Sequence, residues 1–219
     1  PAIAEGMNAA IENANRLSAD ARLLLDAGRF PSAAALAILA IEESGKASIL
    51  RELAVARDQR ELQASWKRYR SHKDKNIAWI MPQLVAHGAR SLEDFRAMFA
   101  VDADHPQLLD DVKQVALYTD CLGNAHWSQP EHVIQAELAE TLVNTASLFA
   151  TARAITTREI ELWIEHVGPV WRGPMAWMKA ALAQWDTAMR AEGLVPTERT
   201  MTMKQFLYGT EASLKGSEE

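Results

Sequence analysis

Residues 68–76 read RYRSHKDKN, four cations and a histidine within a chain of net charge −6. An arginine can grip a phosphate oxygen bidentately and steady charge that develops there. A histidine, with an ordinary pKa of about 6.5, can give or take a proton near neutrality. If residues 61–76 form one helix, Glu61, Ser65, Arg68, His72 and Lys75 share a face, and Arg68 stands one turn from His72. Guanidinium and imidazole then reach the same phosphate. Together they could promote attack of an RNA 2′-hydroxyl on its own phosphate without a metal. The bland alternative is a solvated helix face, since an arginine and a histidine at this spacing are common.

The basic character extends further. Positions 51–75 hold eight Lys or Arg against four Asp or Glu, a local +4 on a remainder of −10. A basic stripe on an acidic body fits a grip on a few phosphates rather than a general nucleic-acid coat. A second site element lies upstream. Leu36, Leu39, Glu43, Ala47 and Leu50 fall in line at helical spacing, so Glu43 is expected to face the interior and to need a partner there. Glu42 is expected to point aside, four residues before Lys46.

Other constellations are poor. His126 stands beside Trp127 with Asp120 nearby, too few donors for a metal site. The six histidines show no ligand pairing, and no HExxH, glycine-rich phosphate loop or GxSxG elbow occurs. No metal and no cofactor is expected. Trp163, Trp171, Trp177 and Trp185 are expected to pack C-terminal helices.

The elements that must position these residues read as helices throughout. Met7, Ile11, Ala14, Leu17, Ala21 and Leu24 recur at helical spacing, and Gly28 stops the run. A second helix starts near Pro31. Its stretch 33–41 (AAALAILAI) is apolar all round, so it should be central. The two should pack as an antiparallel hairpin. A third helix starts at 58–61, with Leu62, Trp66 and Tyr69 inward, and runs toward Ile80 before Pro82. Further helices are expected at 89–99, capped by Ser91 with Asp94, and at 106–119. Residues 120–130 read as a loop, and a long helical pattern begins at Glu131. TTRE (156–159) reads as a capping box and GPVWRGP (168–174) as a boundary. A last amphipathic helix carries Met178, Leu182, Trp185 and Met189, before a polar tail ending KGSEE. The class is all-α: a helical bundle over 1–165, then a helical extension over 166–219.

At 48% apolar and 24% charged residues, 219 positions suffice for a sizeable core. The single cysteine, Cys121, excludes an internal disulfide and a thiolate-rich zinc site. No signal-like segment opens the sequence, and the longest apolar run falls short of the ~20 residues of a membrane span. A cytoplasmic protein without membrane contact is expected.

Three segments in order resemble the AbiV-type abortive infection proteins, a bacterial phage-defence family with a HEPN-like helical fold. They are NANRLSADARLLLDAGRFPSAAALAILAIEESGKASIL (13–50), SHKDKN (71–76) and VALYTDCLGNAHWSQP (115–130). The resemblance covers roughly residues 8–135. It implies a HEPN-like bundle, a homodimer, and a metal-independent ribonuclease whose R-x(4–6)-H site forms across the dimer. It also implies control by a phage-encoded activator or an antitoxin. The site is then placed around His72, Lys73 and Lys75, with Glu43 and Lys46 facing it. Tyr118 and Asp120 are candidates from the third segment. The motif itself departs from the family pattern: Arg68 precedes His72 with three residues between, and the residue with four between is Lys67, a point charge rather than a fork.

The candidate catalytic set is therefore His72, Arg68 and Glu43, with Lys46, Lys67, Arg70, Lys73 and Lys75 as RNA-binding cations. The alternative is a non-catalytic helical module that senses or binds a phage or partner protein, in which His72 is dispensable. A nucleotide-binding bundle anchored by Glu43 is a third reading.

Overall fold

A computed structural model describes residues 1–100, 102–121, 127–150 and 153–209. His126 and the KGSEE tail lie outside the described residues.

The N-terminal helices form the expected hairpin. Helix α1 (Ala2–Asp26) buries Met7, Ile11, Ala14, Leu17 and Ala21 along one stripe. Gly28 turns the chain at φ 70°, where a side chain would be strained. Helix α2 (Phe30–Ala54) then starts with proline in its first turn. Residues 33–35, 37, 38, 40 and 41 are all buried, so α2 is the central rod that the apolar run required.

The third helix is shorter than the spacing predicted. Helix α3 (Gln59–Arg70) opens on an Asp58 cap whose carboxylate accepts the Glu61 N–H at 2.8 Å. It stops at Ser71, which has ψ 129° and caps a separate single turn, α4 (His72–Lys75), by accepting the Asp74 N–H. Ser71 with Asp74 three residues on is a local start signal inside what reads as one continuous helix. Along α3, Leu62 and Tyr69 turn inward while Trp66 is 40% exposed, which corrects its expected inward position.

Helix α5 (Met81–Ala86) takes Pro82 in its first turn rather than as a stop. A 3-10 helix follows at Leu92–Phe99, with the Ser91/Asp94 capping box in place. Helix α6 (His105–Leu117) leads to a two-residue antiparallel ladder, Asp120–Cys121 against Trp127–Ser128, too short to leave an alternation in the sequence. Helices α7 (Pro130–Val133) and α8 (Ala136–Phe149) replace the single long pattern from Glu131. The main core lies between α1, α2, α6 and α8, around Leu17, Ile38, Ile41, Leu109, Leu142 and Val143.

Helix α9 (Thr157–His166) carries its TTRE capping box and buries Ile160 against Ala4, Met7, Leu50 and Leu53. Helix α10 (Met175–Ala191) and α11 (Met203–Tyr208) are the last helices among the described residues. Trp163 packs edge-on against Trp171 and Trp185. Trp177 is 62% exposed and does not join them. No helix among the described residues is long and apolar enough to cross a membrane.

Candidate functional site

A buried carboxylate organises the site, and it belongs to Glu42. Its side chain is 3% exposed. Oε2 lies 2.6 Å from Nδ1 of His72 and 3.6 Å from Nζ of Lys75. Oε1 accepts from Nζ of Lys113 at 2.6 Å, and that ammonium also donates to Asp110 at 2.6 Å. Two carboxylates and two ammoniums thus balance around one imidazole. Leaving any of these charges buried and unpaired costs several kcal/mol.

The interior acid expected from the sequence is therefore off by one residue. Glu43 lies at the half-buried edge of α2 and pairs with Lys46 at 2.5 Å. The face that α2 buries most deeply runs through Ala35, Ile38, Glu42 and Ile49. On a helix that is apolar all round, two neighbouring stripes look alike in sequence, and only the packing of α6 and α4 chooses between them.

Helix α4 reaches Glu42 because α2 carries a glycine where the two cross. A Cβ on Gly45 would lie 2.1 Å from the Lys75 carbonyl oxygen. With hydrogen there, the single turn 72–75 lies flat on α2, burying Lys75 and Asn76 and setting His72 over Glu42. Asn76 is wholly buried, and neither atom of its amide has a hydrogen-bond partner among the described residues.

Arg68 is not beside His72. The break at Ser71 removes the shared face. The Arg68 Nη1 contacts both oxygens of Glu52 at 2.5 Å, and its Nε donates to Asp74 at 3.3 Å. Glu52 stands ten residues beyond Glu42 on α2, about 15 Å along the axis. Burial opposes the Arg68 charge, but Glu52 and Asp74 outweigh it and the pKa is raised. Arg68 ties α3 and α4 to the end of α2. Lys113 shows the same balance: burial lowers its pKa, the bonds to Asp110 and Glu42 raise it, and the rise prevails.

The remaining expected cations divide. Lys75 is 8% exposed and belongs to the Glu42 cluster rather than to an open surface, which corrects its place among the surface cations. Lys46 is held between Glu43 and the Tyr69 ring, 5.2 Å from its centroid. Lys67, Arg70 and Lys73 are exposed and make no ion pair among the described residues. Tyr118 is 59% exposed, and Asp120 sits in the short ladder, bonded to Ser128. Neither contacts the Glu42 cluster. Asp110 and Lys113 were not singled out from the sequence, although Lys113 falls between Leu109 and Ala116 on the inward stripe of α6.

Chemically, His72 is the group on offer. Its side chain is 53% exposed while Nδ1 is anchored on a buried carboxylate. With Nδ1–H donating to Glu42, Nε2 keeps its lone pair and points away from that anchor. Glu42, His72 and Asp110 each place one potential ligand atom within 4.8 Å of the others. The gap between the two carboxylates is bridged by the Lys113 ammonium, so a metal there must displace it.

Searches of curated proteins and of solved structures each find no match. A comparison with protein-family models matches residues 2–151 to HEPN_AbiV, described as AbiV. That span includes the hairpin, α4 and α6, hence Glu42, His72, Asp110 and Lys113. With more than half of its length so matched and an all-helical fold to go with it, the chain belongs to the AbiV family of HEPN proteins.

Proposed function

We propose that this AbiV-family chain, an abortive-infection protein of phage defence, acts by cutting RNA at His72. The observation that carries the proposal is the 2.6 Å contact between His72 Nδ1 and the buried Glu42, which fixes the ring and leaves Nε2 outward. Nε2 takes the proton of a ribose 2′-hydroxyl. The oxygen attacks the adjacent phosphorus, the P–O5′ bond breaks, and the departing O5′ is protonated from solvent or by a second imidazole. The products are a 2′,3′-cyclic phosphate and a 5′-hydroxyl. Glu42 stabilises the imidazolium that forms, as a buried carboxylate does for a catalytic histidine elsewhere. Exposed Lys73 and Arg70 flank His72 and attract the phosphates. Arg68, tied to Glu52 and Asp74, is left out of the catalytic set, and Glu42 is the positioning residue.

A homodimer that brings two His72 rings together, and control by a phage-encoded activator or an antitoxin, complete the proposal. Cleavage of RNA by the purified protein in the presence of a chelator, with cyclic-phosphate ends, supports it. Intact RNA under all conditions in which the protein arrests growth sinks it. The second reading, a protein-binding module, is favoured by Met175 and Trp177, 65% and 62% exposed at the start of α10. It predicts that changes there, and none at His72, abolish function.

A further inference from the structure

The outer face of α3 carries a group of side chains with no hydrogen bond or ion pair to the Glu42 cluster among the described residues. Gln63, Trp66, Lys67 and Arg70 follow one another at i, i+3, i+4 and i+7 and line an open concavity of about 470 Å³. That volume suits a small organic ligand. Trp66 is 40% exposed, and its edge-on contact with Tyr69, at 5.3 Å and 77°, fixes the plane of the indole. Lys67 and Arg70 make no ion pair among the described residues, whereas Arg57, Arg68 and Lys46 on neighbouring positions are all engaged. An ordered aromatic face between two free cations is the combination that binds unpaired bases along a phosphate backbone. A base pair within a duplex cannot lay its face on such a platform.

We propose that Gln63, Trp66, Lys67 and Arg70 form a subsite for single-stranded RNA, with one base stacked on the Trp66 indole and the flanking phosphates on Lys67 and Arg70. The inference rests on the reading that His72 handles RNA, and it says which form of RNA arrives there. Arg70 and His72 are two residues apart, at most about 7 Å between Cα atoms. A strand gripped at Arg70 is therefore held within a few ångströms of the turn that carries the imidazole. Bases that are paired stay off the platform, so cleavage falls in loops, ends and other unpaired segments.

The test uses the full chain and a labelled single-stranded oligodeoxynucleotide, which lacks the 2′-hydroxyl and cannot be cut, beside a duplex of the same length. Wild type should bind the single strand more tightly than the duplex. Trp66→Ala should weaken single-strand binding about ten-fold, and Trp66→Phe should retain most of it. Lys67→Ala and Arg70→Ala should each lower the slope of log affinity against log salt by about 0.7. Melting temperatures of all variants identify any that fail to fold. The proposal is overturned if folded Trp66→Ala binds as wild type, if duplex binds equally well, or if wild type binds neither. If Trp66→Ala loses growth arrest yet binds the oligonucleotide normally, the face serves a protein, and the proposal again fails. Single-strand binding without RNA cleavage by wild type would instead defeat the catalytic reading and leave the platform standing.

Discussion

Gly45 and Lys75 meet backbone to backbone, with the Lys75 carbonyl oxygen occupying the space that a side chain at position 45 would need. This contact brings α4 down onto α2 and so assembles Glu42, His72 and Lys75. The glycine lies mid-helix, where it costs up to about 1 kcal/mol relative to alanine. Its presence there is explained by the close approach rather than by helix propensity.

Gly45→Ala should therefore destabilise the protein by about 1–3 kcal/mol, despite the better helix former, and should reduce any activity of His72. Gly6→Ala is the control. Its Cβ would meet only Leu50 side-chain carbons at 3.6 and 3.9 Å, ordinary contact distances. Urea denaturation of the two variants should show opposite signs. Equal effects would mean that α4 is free to move off α2.

The two neighbouring glutamates should behave differently. Glu42→Ala leaves Lys75 and Lys113 buried without their shared acid, at a cost of about 3–5 kcal/mol. Glu43→Ala breaks a half-buried surface pair with Lys46, worth about 1 kcal/mol or less. Denaturation midpoints of the two variants check the ranking, and a reversed order would restore Glu43 as the interior acid.

Much of the fold was legible because it is written in local signals. The Ser91/Asp94 and Thr156/Glu159 boxes, the Gly28 stop and the apolar run of α2 all stand where their sequences place them. The site was harder for two physical reasons. Glu42 and Glu43 are adjacent on a helix with no polar face to set its register, so the buried stripe depends on partners far along the chain. The α3–α4 break depends on Ser71 and on the fit of Gly45 against Lys75, contacts that helical periodicity does not see. Lys113 was visible in principle: a lysine between Leu109 and Ala116 on an inward stripe must find an acid.

Arg68 should act on stability rather than on RNA. Arg68→Ala removes the bonds to Glu52 and Asp74 and should cost about 1–2 kcal/mol. Oligonucleotide affinity at a temperature where the variant is folded should stay unchanged. A large loss of affinity in a fully folded variant would return Arg68 to the phosphate site.

Stability should fall at both ends of the pH scale for identifiable reasons. Burial opposes the Glu159 charge, but the Arg153 guanidinium and the Thr156 donors outweigh it and hold the pKa below the usual range. Its folded value lies below the unfolded one of about 4.3, so its contribution is present above that pH and is lost as pH falls through the folded value. Glu61, bonded to the Arg57 side chain and backbone, follows the same course with a pKa of about 2. Lys113 has the opposite sign: its raised pKa gives a contribution present below about 10.4 and lost as pH rises through the folded value. Glu159→Gln should flatten the acid limb of a melting-temperature profile and Lys113→Met the alkaline limb. An acid limb unchanged in Glu159→Gln would show that other carboxylates control it.

The most direct test of the Glu42–His72 account is RNA integrity and cell survival on induced expression, wild type beside a His72→Ala variant of matched melting temperature. The account predicts that wild type arrests growth with fragmented RNA and that the variant does neither. Equal arrest by both with intact RNA would contradict it.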